Sequence, residues 1–217
     1  MRCRFVMPWR RLRVRSQLSM AMWLRRRALP RSCSTAPENL GLPWIARGHC
    51  FQGTLLIMRR DFVAGLPLLR DALEEMREGG AAPGYPAFLT LFARGLGLAG
   101  QVTEGLAVID QALELSERHE ERWSLPEVLR NKGELLLLGG LVGAAVAAED
   151  CFRQALDWAH RDGTLSYELR AAFSLGRLRR DQGRSSEADD LVAAVYGRFT
   201  EGLRRPICRR QSGSSTS

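Results

Sequence analysis

Lysine is almost missing from this chain: 31 arginines stand against a single lysine, Lys132, a bias that a GC-rich coding sequence produces. A phosphate-cradling G-x-x-x-x-G-K-[ST] loop needs its lysine after a glycine-rich run, and no such run precedes Lys132. Histidine is scarce as well. His49, His119 and His160 lie far apart, outside H-E-x-x-H or any other ligand spacing, so no metal role is expected of them. His119 belongs to the charge run SERHEER, and His160 sits where a cation complements a helix C-terminus. The five cysteines, Cys3, Cys33, Cys50, Cys151 and Cys208, are odd in number and unpaired in spacing. That excludes a disulfide framework and a C-x-x-C metal site, and it points to a reducing cytoplasm. Cys50 and Cys151 fall on apolar helix faces and are read as small buried hydrophobes. There is no G-x-S-x-G elbow. Long apolar runs are also lacking: QLSMAMWL is too short for a membrane span, and the three arginines after it speak against a cleaved secretory signal. No catalytic residue, cofactor, metal or membrane span is expected.

Acid is missing from both ends. Residues 1–35 carry ten arginines and residues 204–217 carry four, with no Asp or Glu in either. The net charge of +8 therefore divides into +10 and +4 at the ends and −6 between them. A nucleic-acid reader carries its basic face on the folded part, so the acidic middle is not expected to bind nucleic acid. The chain accordingly divides into an Arg-rich segment 1–37, a folded domain 38–202 and a basic, Ser-rich tail 203–217. The ends read as a misplaced start and a frameshift on a fragment. The alternatives are an acid-poor organelle presequence or a basic membrane-surface arm.

What the middle does have is a repeat. A small residue in an apolar run is followed by an Ala-Leu-like pair in four places: Gly53 with Ala72, Ala93 with Ala112, Gly133 with Ala155, and Gly176 with Val195. The separation is 19 residues except in the third unit, where it is 22 and the stretch GGLVGAAVAAED accommodates an inserted loop. Self-similarity at a fixed period marks a repeat architecture. Within the second unit, Phe88, Leu91, Phe92, Leu96 and then Leu106, Ile109, Ala112, Leu113 give two amphipathic helices broken at Ala99-Gly100-Gln101. The fourth breaks at Gln182-Gly183-Arg184, and the first at Arg59-Arg60-Asp61, which lacks the glycine. Glycine inside a helix costs about 1 kcal/mol. Three in register imply close crossings, with Gly53, Ala93, Gly133 and Gly176 set against Gly65, Gly105, Ala148 and Ala188. The acid pairs Glu149-Asp150 and Asp189-Asp190 are read as helix-start charges.

These units resemble tetratricopeptide-type helical hairpins, with a period near 40 in place of about 34. Strings such as GTLLIMRRDFVAGLPLLRDAL, ERWSLPEVLRNKGELLL, AEDCFRQALDWA and LRAAFSLGRLRRDQGRSSEADDLVAAVYGRFTEG are similar to the C-terminal repeats of large bacterial signalling proteins of the STAND type. There a winged-helix DNA-binding or adenylate-cyclase domain precedes an ATPase module, and the helical repeats follow. The resemblance implies an all-α, right-handed superhelical solenoid of about four antiparallel hairpins. It also implies a non-catalytic protein-interaction or sensor module from a cytoplasmic, ATPase-linked signalling or transcriptional regulator. A cryptic enzyme or nucleotide-binding remnant, or a nonfunctional pseudogene fragment, are the rival readings.

In such arrays the first helix of each hairpin lines the concave face. Carried over, that places Arg47, Cys50 and Thr54, then Thr90 and Arg94, then Glu127, Arg130 and Glu134, then Arg170, Phe173, Arg177 and Arg180 on it. Arginine recurs in every unit of an acidic array and grips carboxylates bidentately, so a protein or peptide with an acidic segment is the expected partner. The lysine and asparagine clamp of chaperone-type arrays is absent, Asn131 alone matching part of it.

Overall fold

The computed structural model describes residues 42–79, 83–118 and 122–199. The expected end segments 1–37 and 203–217 lie outside these residues, as do His119, Cys3, Cys33 and Cys208. The described part is all-α. Its helices are α1 (Leu42–Met58), α2 (Phe62–Glu78), α3 (Tyr85–Leu98), α4 (Val102–Arg118), α5 (Leu125–Gly139), α6 (Ala144–Arg161), α7 (Leu165–Asp181) and α8 (Ser185–Gly197), with a short 3-10 turn, Arg122–Ser124, before α5. They pack as four consecutive hairpins, α1/α2, α3/α4, α5/α6 and α7/α8. The first helices also touch one another in order, α1 to α3 to α5 to α7, forming the inner layer of a tetratricopeptide-like stack.

The repeat positions are the crossings. Ala72, Ala93, Ala112 and Ala155 are almost wholly buried, and Val195 nearly so. A Cβ added to Gly53 would come within 2.9 Å of Leu69 and 3.1 Å of the Gly65 carbonyl, so the α1–α2 crossing admits nothing larger. In the third hairpin the partner differs from the expected Ala148. The buried ring of Phe152 fills the space, and a Cβ on Gly133 would sit 2.5 Å from it.

Three of the hairpin turns close alike. The amides of Asp61, Gln101 and Arg184 donate to carbonyls five residues back, on Leu56, Leu96 and Arg179, a helix-ending bond that requires a left-handed residue just before the donor. Gly100 and Gly183 supply it at φ 89° and 80°. In the first hairpin Arg60 supplies it at φ 68°, a conformation L-residues adopt only at a cost. Asp61 then caps α2 by accepting from the Ala64 amide at 3.1 Å. The third turn, residues 140–143, is a residue longer and carries two left-handed glycines, Gly140 and Gly143, around exposed Leu141 and Val142.

Candidate functional site: an ion-paired strip on the inner helices

Glu127 is the centre of the strip. It lies in the first turn of α5, where a carboxylate complements the helix N-terminus. One turn on, Arg130 reaches back to it with two nitrogens, at 3.0 and 2.6 Å. Asn131 donates to its carbonyl at 2.8 Å and to its carboxylate at 2.9 Å. Arg170 crosses from α7 to the same carboxylate at 2.6 Å. Burial disfavours the Glu127 anion, but Arg130 and Arg170 outweigh it and hold the pKa below the usual carboxylate range. Burial likewise opposes the charge on Arg130, and Glu127 overrides it, so that pKa is raised.

A second carboxylate extends the strip. Glu134, two turns along α5, accepts from Ser174 at 2.7 Å, pairs with Arg177 of α7, and lies 3.5 Å from Arg130. Arg94 approaches from α3. It is partly buried and, among the described residues, forms neither a hydrogen bond nor an ion pair. Burial, and then Arg130, push its pKa down against the opposing pull of Glu127 and Glu134. Arg170 is also lowered, by burial, yet keeps its bond to Glu127. Arg94, Arg130, Arg170 and Arg177 thus face two carboxylates, an excess of positive charge confined to one patch of an acidic array.

The other positions assigned to this face go elsewhere. Arg47 donates to the Pro83 carbonyl, with its guanidinium about 6 Å from the rings of Trp44 and Phe88. Arg180 turns toward the second helix of its own hairpin and pairs with Asp189 at 2.9 Å. Cys50 is buried, as its apolar helix face implies and against its place on the concave face; Thr54 and Thr90, assigned to that face as well, are also buried. Thr54 and Thr90 donate to the carbonyls of Cys50 and Pro86, four residues back, at 2.8 Å each, so their hydroxyls need no solvent. Phe173 is half-buried on α7. Asn131 is occupied within the strip and is not presented as a free clamp residue.

A separate cluster ties the last two hairpins together. Glu149, expected as a helix-start charge, sits in the second turn of α6 and binds Arg184 at 2.7 Å and Arg153 at 2.8 Å. Its pKa is lowered because these arginines, Arg184 first, overcome the effect of burial. At the opposite end, His160 lies 3.2 Å from buried Glu168, which also takes Arg198. These contacts account for His160 as part of a surface ion cluster. Among the described residues no group of three or more His, Cys, Asp or Glu could hold a metal ion, and no helix is long and apolar enough to cross a membrane.

No family model matches the chain. Two crystal structures of a Podosopora anserina protein described as a kinesin light chain with nearly identical TPR-like repeats share the fold, at TM-scores of 0.59 and 0.55. Each covers 75% of this chain and 78% of its own, at 17% and 18% identity. An uncharacterized protein of Rhizobium meliloti (strain 1021) is 29% identical over 128 residues, 59% of this chain. The chain spans 12% of that relative's length. The fold is thus that of a TPR-like repeat module.

Proposed function

We propose that the array is a non-catalytic protein-interaction module that takes an acidic segment of its partner along the strip formed by Arg94, Arg170 and Arg177. The observation that carries this reading is Arg94, a partly buried cation that forms no ion pair among the described residues: Arg130 and Arg170 repel it, and Glu127 and Glu134, already paired with those arginines and Arg177, attract it only in part. A partner's carboxylate placed there supplies the missing charge and relieves the repulsion. Arg130 is the foundation of the strip and not a ligand contact, since its side chain is only 11% exposed, against 39% for Arg170 and 47% for Arg177. The surrounding context we propose is a cytoplasmic sensor region of an ATPase-linked bacterial regulator. The support is the resemblance of residues 40–202 to the repeats of such proteins, together with the much greater length of the Rhizobium meliloti relative. The test is calorimetric titration of the full chain with a short poly-glutamate peptide and with its poly-glutamine counterpart. Binding of the first alone, weakened by salt, supports the reading; equal behaviour of the two overturns it.

A further inference from the structure

The surplus positive charge of the inner strip is not spread evenly along it. Glu127 with Arg130 and Arg170 makes one end, and Glu134 with Ser174 and Arg177 makes the other. Arg170 and Arg177 are seven residues apart on α7, so the two ends lie about 10 Å apart along the helix axis. At the second end one carboxylate meets one guanidinium and the charges cancel. Arg130 belongs to the first end, 2.6 Å from Glu127 against 3.5 Å from Glu134. Arg94 joins it there: of the charges around it, Arg94 feels Arg130 most, then Glu127 and Arg170, and Glu134 after them. Three guanidiniums thus face the single carboxylate of Glu127, and two positive charges are left over.

Geometry decides what can take up that surplus. Glu127 already accepts two bonds from Arg130 and one each from Asn131 and Arg170, so it cannot turn to serve another cation. Its side chain is 16% exposed, well below that of Arg170, so an incoming group meets guanidinium before carboxylate. Arg170 uses only Nη2 on Glu127, and Arg94 forms no bond among the described residues. Tyr167, one turn before Arg170 on α7, stays neutral, burial pushing its phenol up. A carboxylate brings one negative charge and two oxygens, enough for one guanidinium. A phosphomonoester brings close to two charges at neutral pH and three acceptor oxygens, which suits two guanidiniums and a surplus of two. On the reading that the strip takes an acidic segment of a partner, we propose that its Arg94–Arg170 end takes a phosphorylated residue of that segment. Arg177 then meets the same chain about three residues further on, if the segment is extended.

Calorimetric titration of the full chain with two matched peptides tests this: a glutamate-rich segment carrying one phosphoserine, and the same segment with glutamate in its place. The phosphoserine peptide should bind roughly tenfold tighter at about pH 7.5. That advantage should shrink at about pH 5.5, where the phosphate falls toward one charge while the glutamates and arginines keep theirs. Arg94→Gln, which removes no bond made among the described residues, should erase the advantage, and Arg177→Gln should leave it. Equal affinity for the two peptides overturns the phosphate assignment and leaves the acidic-segment reading standing. Binding of neither overturns both. Inorganic phosphate that binds as tightly as the phosphoserine peptide also overturns the assignment, because that end would then hold a free anion and not a segment.

Discussion

Glu127 and Arg170 occupy the same position in consecutive hairpins, 43 residues apart, and their charges meet at 2.6 Å. Glu134 and Arg177 repeat the relationship at the same separation. The stack itself thus brings opposite charges together: one repeat step along the chain becomes one helix step across the inner layer. Arg94 stands a repeat before Glu134, so the position after the small crossing residue runs Arg94, Glu134, Arg177.

Removing the Glu127 carboxylate leaves Arg130 and Arg170 facing one another over a largely buried site. Breaking one side of a buried pair costs about 3–5 kcal/mol. Glu127→Gln keeps the shape and lies at the lower end, because the amide still accepts a hydrogen bond. Urea unfolding should show a lower midpoint with the slope unchanged. A midpoint equal to wild type means the network is only solvated surface.

Acid exposes the same groups. Glu127 and Glu149 both have depressed pKa values in the fold. Their stabilisation is fully present above the unfolded glutamate value of about 4.3 and is lost as pH falls through the lower folded values. Melting temperatures should hold from neutral pH to that value and then drop. In Glu127→Gln the drop is shallower, since one of the two groups no longer titrates.

The two mid-helix glycines give opposite responses. Gly133→Ala drives a methyl to 2.5 Å from Phe152 and should cost about 1–3 kcal/mol, as overpacking does. Gly48→Ala meets open space and should gain up to about 1 kcal/mol from helix propensity. Thermal melts of the pair, compared at equal concentration, check the sign of each.

Much of this fold was legible because the crossings demand small residues: Gly53, Ala93, Gly133 and Gly176 announce four hairpins, and Gly100 and Gly183 announce two of their turns. The first turn was also placed, at Arg59-Arg60-Asp61, but an arginine held left-handed leaves no sequence mark, so the way it closes was not legible. The outward assignment of Thr54 and Thr90 failed for a different reason. A threonine in a helix satisfies its own hydroxyl on the carbonyl four residues back, so polarity there does not report exposure. The strip was half visible. Arginines on the first helices could be counted, but which of them were already neutralised depended on carboxylates one repeat away.

Burial should make the described cysteines inert. The Cys50 thiol is pushed up to about 11 and that of Cys151 is also raised, in both cases chiefly by burial. Iodoacetamide at neutral pH should leave both unmodified in the native chain and label both in urea, as peptide mass spectrometry can read. Native labelling of Cys50 would show that α1 opens readily.

The most direct measurement of the central claim is a single substitution followed by two instruments. Burial and Arg130 push the Arg94 pKa down against the pull of Glu127 and Glu134, so Arg94→Met should raise the melting temperature by removing a partly buried, imperfectly compensated cation while keeping an apolar stem. The same substitution should weaken binding of a poly-glutamate peptide at least tenfold by calorimetry, about 1.4 kcal/mol. Higher stability together with lost binding is the signature of a residue kept for a ligand at the expense of the fold. Unchanged affinity in a stable Arg94→Met protein would contradict the account, and the strip would then be scaffolding alone.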